Sequence, residues 1–197
     1  MNRADGRLFV LSSPSGGGKT TVIREAMKRD PGLRYSVSAT TRGARSGERE
    51  GFDYIFMKQK TFDEQRNAGA FLEWARVHGD CYGTLRRPVA DWLAEGRSVL
   101  LDLDVQGAAA VKREMPDSVL VFLVPPSLAA LRERLQMRGT DSSETVERRI
   151  RNAEEELKQS ENYDFIIFNH RVEDAVTQLQ AVIAHFERAT PDGSKCI

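Results

Sequence analysis

The chain has 197 residues, enough for one compact domain with a sizeable core. Lys plus Arg and Asp plus Glu each number 29, so the formal net charge is zero and no global field draws the protein to nucleic acid or to a membrane surface. Cys81 and Cys196 are too few and too far apart for a disulfide framework or a zinc site, no apolar run approaches ~20 residues, and the polar start does not read as a signal peptide, which together predict a cytosolic protein.

The first element is a short continuous apolar run at 8–11, which predicts a strand buried on both faces. It leads into "SPSGGGKT" at 13–20, a near match to G-x-x-x-x-G-K-S/T with Ser13 in place of the first glycine. A helix is predicted over 20–28. Strand, glycine loop and helix in that order are the context in which backbone N–H groups of Ser13, Ser15, Gly16, Gly17 and Gly18 and their neighbours can surround a phosphate, with Pro14 shaping the same loop without a donor. Lys19 can then reach the β- and γ-phosphates, and the hydroxyls of Thr20 and Thr21 open the helix, with Thr20 placed to ligate Mg²⁺. The plainer alternative is an ordinary glycine turn with a surface lysine.

Residues 35–86 break the rhythm, with short strands, one helix at 61–67 and many polar turns, and are predicted to form an inserted lobe. "SATTRGARSGEREGFDY" (38–54) places Arg42 and Arg45 in a turn-rich stretch with Glu48 and Tyr54. Arginine forks suit phosphate oxygens, although a charged surface loop explains arginines alone equally well. "FLEWARVHGDCYGT" (71–84) sets Glu73 in an apolar, aromatic strand, followed by Tyr82 and Thr84. A carboxylate there needs a donor partner unless it faces water, and the N1–H and N2–H₂ edge of guanine offers two parallel donors.

The second half alternates regularly. Strands are predicted at 99–103, 119–124 and 165–168, and helices at 88–94, 106–113, 127–137, 144–159 and 173–188. Such alternation predicts an α/β fold with a parallel sheet. Asp102 and Asp104, two apart, are expected on the same side of a strand at its carboxyl end, where ligands of open α/β sheets bind; one would orient Mg²⁺ or its waters, while Asp104 can also cap the following helix. Arg134 and Arg138 lie four apart on one helix and lead into "MRGTDSSETVERR" (137–149), predicted to be a mobile flap that ends in Arg148 and Arg149. These arginines can close over phosphates, whereas ordinary Glu–Arg pairing would account for Arg132 and Arg148. His78, His170 and His185 show no catalytic or metal pattern, and the tail from 190 is predicted to be loose.

Taken together and in this order, "SPSGGGKTT", "SATTRGARSGEREGFDY", "FLEWARVHGDCYGT", "LLDLDVQG", "MRGTD" and "IIFNH" resemble the guanylate kinases over nearly the whole chain. The glycine loop alone is unspecific; the run of arginines with "FLEW" and "YGT" is characteristic. The resemblance implies a parallel sheet of P-loop NTPase type flanked by helices (core 1–34 and 87–197), a mixed α+β GMP-binding lobe at about 35–86 and a lid at about 138–148. It implies that ATP lies on residues 13–21 with Arg134 and Asn169, the latter near the adenine. It implies that GMP is met by Ser38, Arg42, Arg45, Glu48, Tyr54, Glu73, Tyr82, Thr84, Asp102, Asp104 and Arg149. Arg42, Arg45, Tyr54 and Tyr82 would hold the GMP phosphate, and Glu73, Ser38 and Thr84 would read the guanine. Lys19, Arg42, Arg138 and Arg149 would carry catalysis, with Mg²⁺ on Thr20 and Asp102. Ser13, Ala44, Asp80, Cys81 and His170 depart from the usual pattern without removing a group of named role.

The activity so implied is ATP-dependent phosphorylation of GMP to GDP, with a homo-oligomer left open. The rival from another class is an inactive module of the same fold that holds a phosphopeptide; such modules typically lack an intact phosphate loop, and here Lys19, Thr20 and the arginines are all present. A kinase for another phosphorylated acceptor would have no use for Glu73 with Thr84.

Overall fold

The computed structural model describes residues 6–77, 79–137 and 143–188. Arg138, His78, Cys196 and the predicted loose tail lie outside these residues. Strand β1 (Leu8–Ser12) is entirely buried. Its alternate side chains serve two cores. Phe9 and Leu11 pack with Val22, Val176 and Leu179, which belong to α1 (Lys19–Arg29) and α7 (Val172–Arg188). Leu8 and Val10 pack with Val89 and Val111, which belong to α3 (Arg86–Ala94) and α4 (Val105–Glu114). Burial on both faces is why the run is continuously apolar instead of alternating.

β1 is flanked in parallel by β7 (Val99–Asp102) and β8 (Val119–Val124) in a five-stranded sheet of order β2-β7-β1-β8-β9, in which β2 is Arg34–Tyr35 and β9 is Phe165–Phe168. The register sets Leu11 beside Asp102 and Val124 beside Phe168. The carboxyl ends of β1, β7 and β9 therefore open on the same edge, which is where open α/β sheets bind their ligands.

Three sequence expectations need correction. Residue 35 is not the start of the lobe, because Tyr35 is part of β2 in the main sheet, and the Ser36 N–H donates to the Leu100 carbonyl at 3.2 Å. A two-residue edge strand has too little pattern to be read from composition. β7 ends at Asp102, so Asp104 stands on the turn that starts α4 and not on the strand. The flap narrows as well: α6 (Ser143–Lys158) already includes residues 143–149, and of the predicted flap residues 138–142 lie outside the described ones. α5 (Leu128–Met137) packs on α6 through Leu131, Leu135, Val146, Ile150 and Ala153, and Arg132 pairs with Glu147 across the two helices. Arg132 thus takes the structural role that Glu–Arg pairing predicts.

The second sheet, of order β4-β3-β6-β5, mixes parallel and antiparallel neighbours: β3 (Ala39–Thr40), β4 (Ile55–Phe56), β5 (Phe71–Val77) and β6 (Asp80–Leu85). With α2 (Gln59–Asn67) it has its own core of Ala39, Phe62, Phe71 and Cys81, and the Phe62 and Phe71 rings stack with centroids 4.4 Å apart.

Candidate active site

The loop after β1 folds back on itself through the Gly17 N–H, which donates to the Pro14 carbonyl at 2.8 Å. Ser13 fits without a glycine because its hydroxyl donates to that same carbonyl at 3.0 Å. Its Oγ fills the space beside Gly17: a Cβ at position 17 would lie 1.9 Å from it. Gly18, at φ +100°, is the left-handed residue from which α1 starts. The first N–H groups of that helix have no intrahelical partner and, with the helix dipole, make the loop an anion site.

A cleft of about 470 Å³ lies over residues 13–21 and is also lined by Asp102, Asp104, Arg149, Asn152 and Glu156. Lys19 opens α1 at its floor. Its ammonium lies 2.9 Å from Asp102 Oδ1 and donates to the Leu103 carbonyl at 3.0 Å. The loop lysine is thereby held at the edge of the cleft by β7. The residues present fit a hard divalent cation brought with a triphosphate: the Thr20 hydroxyl and the Asp102 carboxylate are oxygen donors on the same cleft. Arg134 comes close to the loop from α5, its Nη1 3.8 Å from where a Cβ on Gly18 would stand.

A second cavity of about 210 Å³ adjoins the first and shares Lys19, Tyr54, Asp102 and Asp104 with it; Ser38, Glu73 and Tyr82 complete its wall. Glu73 is 7% exposed, which overturns the water-facing alternative. A β-bulge between Phe71 and Glu73 sets which buried side it takes. Simple alternation would send both to one face. The bulge leaves Phe71 in the small core near Phe62, and turns Glu73 toward α4, where a Cβ on Gly107 would lie 3.3 Å from Glu73 Oε2. The Thr84 hydroxyl donates to Glu73 Oε1 at 2.7 Å. Burial pushes the Glu73 carboxyl above the usual carboxylate range, the Thr84 hydrogen bond opposes that, and nearby Asp104 adds to it. Asp104 caps α4 by accepting from the Gly107 N–H at 2.8 Å while still lining both cavities. The capping role expected of Asp104 is present, and it leaves the residue on the wall of both cavities.

A family model described as guanylate kinase matches residues 5–186. The guanylate kinase of Symbiobacterium thermophilum is 43% identical over 197 residues, covering 100% of this chain and 93% of that protein. That of Thermotoga maritima is 45% identical over 178 residues, 90% of this chain and 86% of its own. The crystal structure of guanylate kinase from Anaplasma phagocytophilum superimposes with a TM-score of 0.81 at 33% identity, covering 96% of this chain and 90% of that one. The chain belongs to the guanylate kinase family.

The remaining residues carried over from the family resemblance fall into two groups. Arg42 lies with its guanidinium 5.2 Å over the ring of Tyr54, a residue of the second cavity's wall, and Tyr54 meets Tyr82 edge-on at 5.9 Å. Arg42 is gripped by Glu48 in a bidentate pair of 3.0 and 2.8 Å, and the Arg45 N–H donates to the same carboxylate at 2.8 Å. That pair holds the Glu48 carboxyl below the usual range and raises Arg42 further. Glu48 therefore orders the two arginines in this structure and does not line the cavity, and the Arg45 side chain points to solvent. Asn169 is buried, and its amide donates to the Gly17 carbonyl at 2.8 Å. Arg138 lies outside the described residues.

Sequence reasoning missed Asn152 and Glu156. With Arg149 they occupy positions i, i+3 and i+7 of α6 and line the cleft. Burial raises the Glu156 carboxyl, an effect opposed by Lys19. Their helical spacing was a usable signal, since 149, 152 and 156 share a face. Arg24, also missed, donates from α1 to Asp53 at 3.1 Å and ties the main domain to the turn before β4.

The raised Glu73 carboxyl has a consequence for stability. Because the folded state binds that proton more tightly than the unfolded one, Glu73 favours folding below the ordinary carboxylate pKa of ~4.3 and loses this contribution as pH rises through its own, higher value. Glu73→Gln removes the buried charge and retains an acceptor for Thr84. We expect it to raise Tm by a few degrees at pH 8, with the gain shrinking as pH falls toward 5. Thermal melts of both proteins across that range measure it. A variant less stable than wild type at pH 8 would contradict the assignment of Glu73 as a buried carboxylate whose desolvation outweighs its Thr84 hydrogen bond.

Proposed function

We propose that this protein transfers the γ-phosphoryl group of ATP to GMP, giving ADP and GDP. The observation that carries the reading is the meeting of two cavities at Lys19, Tyr54, Asp102 and Asp104: one lies on the phosphate loop, the other ends on a buried carboxylate. A donor triphosphate in the first and an acceptor nucleotide in the second would face each other across Lys19.

The residues then divide the work. The loop N–H groups cradle the β- and γ-phosphates, and Lys19 leaves Asp102 to follow the transferring group. Arg149 and Arg134, with Arg138, screen its charge. Thr20 and Asp102 hold Mg²⁺, which supplies charge neutralisation on the phosphates. Arg42, Arg45, Tyr54 and Tyr82 take the GMP phosphate, and Glu48 keeps Arg42 oriented for it. Glu73, with Thr84 and Ser38, reads the guanine edge. No covalent intermediate is required; alignment and charge screening are the main contributions. The small sheet with α2 would act as a lobe that swings toward the phosphate loop, excluding water that would otherwise accept the phosphoryl group. The reducing setting suggested by two cysteines fits a cytosolic enzyme.

The test is coupled ADP release from ATP with GMP, dGMP, AMP, CMP and UMP as acceptors, with and without Mg²⁺. Fast, Mg²⁺-dependent release with GMP and slow release without any acceptor is expected. Release no faster with GMP than with water alone would overturn the reading in favour of a binding module.

A further inference from the structure

Asn169 stands directly after β9, and its backbone N–H donates to the Val124 carbonyl at 2.8 Å, which ties it to β8. Its side chain is 2% exposed. From there Nδ2 reaches across 152 residues of sequence to donate to the Gly17 carbonyl at 2.8 Å. The same nitrogen lies 2.4 Å from where a Cβ on Gly18 would stand, so the amide rests against the backbone of the loop itself. The opposite amide orientation would set two oxygens against each other. Oδ1 is buried with no partner among the described residues, so the hydrogen bond to Gly17 is what orients the group.

A trans peptide is planar, and its C=O and N–H point in opposite directions. A Gly17 carbonyl held against Asn169 therefore points the Gly18 N–H in the opposite direction, away from Asn169. Gly18 lines the cleft over the phosphate loop. Three consecutive glycines, 16 to 18, give this unit little resistance to flipping, and a flipped unit would present a carbonyl dipole where an anion needs a donor.

We propose that Asn169 is a positioning residue for the donor triphosphate: it holds the Gly17 carbonyl out of the cradle and so aims the Gly18 N–H into it. The proposal rests on reading residues 13–20 as the triphosphate site. It assigns Asn169 an effect on the phosphates through the loop, distinct from any contact with the adenine base.

The experiment compares wild type with Asn169→Leu, which keeps the branched shape without the hydrogen-bonding groups, and Asn169→Ala. Calorimetry measures affinity for inorganic tripolyphosphate, which has no base, and for ATP and GMP. Both variants are expected to bind tripolyphosphate and ATP more weakly by the same factor, about fivefold, the scale of one lost hydrogen bond. GMP affinity should stay within about twofold of wild type on that scale. Tripolyphosphate affinity equal to wild type, whatever happens to ATP, would overturn the proposal. Parallel loss of GMP binding would also overturn it, because a general packing defect lowers both. Failure of wild type itself to bind tripolyphosphate would instead remove the phosphate-loop reading on which the proposal depends.

Discussion

Lys19→Ala is expected to lower kcat by at least ~10³-fold, the order for losing a charge that stabilises phosphoryl transfer. The structure sharpens the expectation. Lys19 is not a free surface lysine: Asp102 and the Leu103 carbonyl hold it at the junction of the two cavities. Its loss would leave Asp102 without its ion-pair partner in the free protein and would remove a cation from the transferring group in the loaded site. Stability should change little, since the ion pair is partly open to water, at 19% and 23% side-chain exposure, and such pairs contribute at most ~1 kcal/mol. Single-turnover kinetics with a thermal melt would separate the two effects. Turnover like wild type would refute the role of Lys19 in transfer.

Acceptor choice should show the larger effect. Glu73 is buried, its Oε1 accepts from Thr84, and the cavity it lines also takes Ser38, Tyr54 and Tyr82 into its wall. An ionised carboxylate here accepts from both N1–H and N2–H₂ of guanine. Adenine has no donor at N1 or C2 and would leave the carboxylate desolvated against a lone pair. Sites built for hydrogen bonds reject analogues lacking them by ~10⁴-fold or more, and we expect at least that preference for GMP over AMP in kcat/KM. Glu73→Gln should reduce GMP use, because the amide cannot accept at both positions, while leaving ATP affinity near normal. Steady-state kinetics with both acceptors and calorimetry with ATP measure this. A GMP kcat/KM within about twofold of wild type would remove Glu73 as the guanine reader. The same substitution is expected to stabilise the protein at pH 8, so activity and stability should move in opposite directions.

The sequence alone determined what depends on neighbours in the chain. The phosphate loop was legible because its chemistry needs only consecutive residues: an apolar strand, glycines, a lysine and a hydroxyl at a helix start. The parallel sheet was legible because burial on both faces leaves continuous apolar runs at 8–11, 99–101 and 119–123, while the edge strand at 165–168 is as apolar in sequence although Ile166 and Phe168 are exposed. The four-residue spacing of Arg42 from Ser38, or the three from Arg45, said nothing comparable about partners, and only folding set Glu48 between the two arginines. On its local pattern Glu73 was equally compatible with water and with burial, and the bulge between Phe71 and Glu73 decides that it faces α4 instead of the small core, since period-two patterns lose their meaning where register shifts. Lys19 with Asp102, and Asn169 with Gly17, are separated by 83 and 152 residues. They meet because parallel pairing brings the carboxyl ends of β1, β7 and β9 to one edge. Strand order and register are settled by packing across the whole sheet, and no local stretch of residues carries that information.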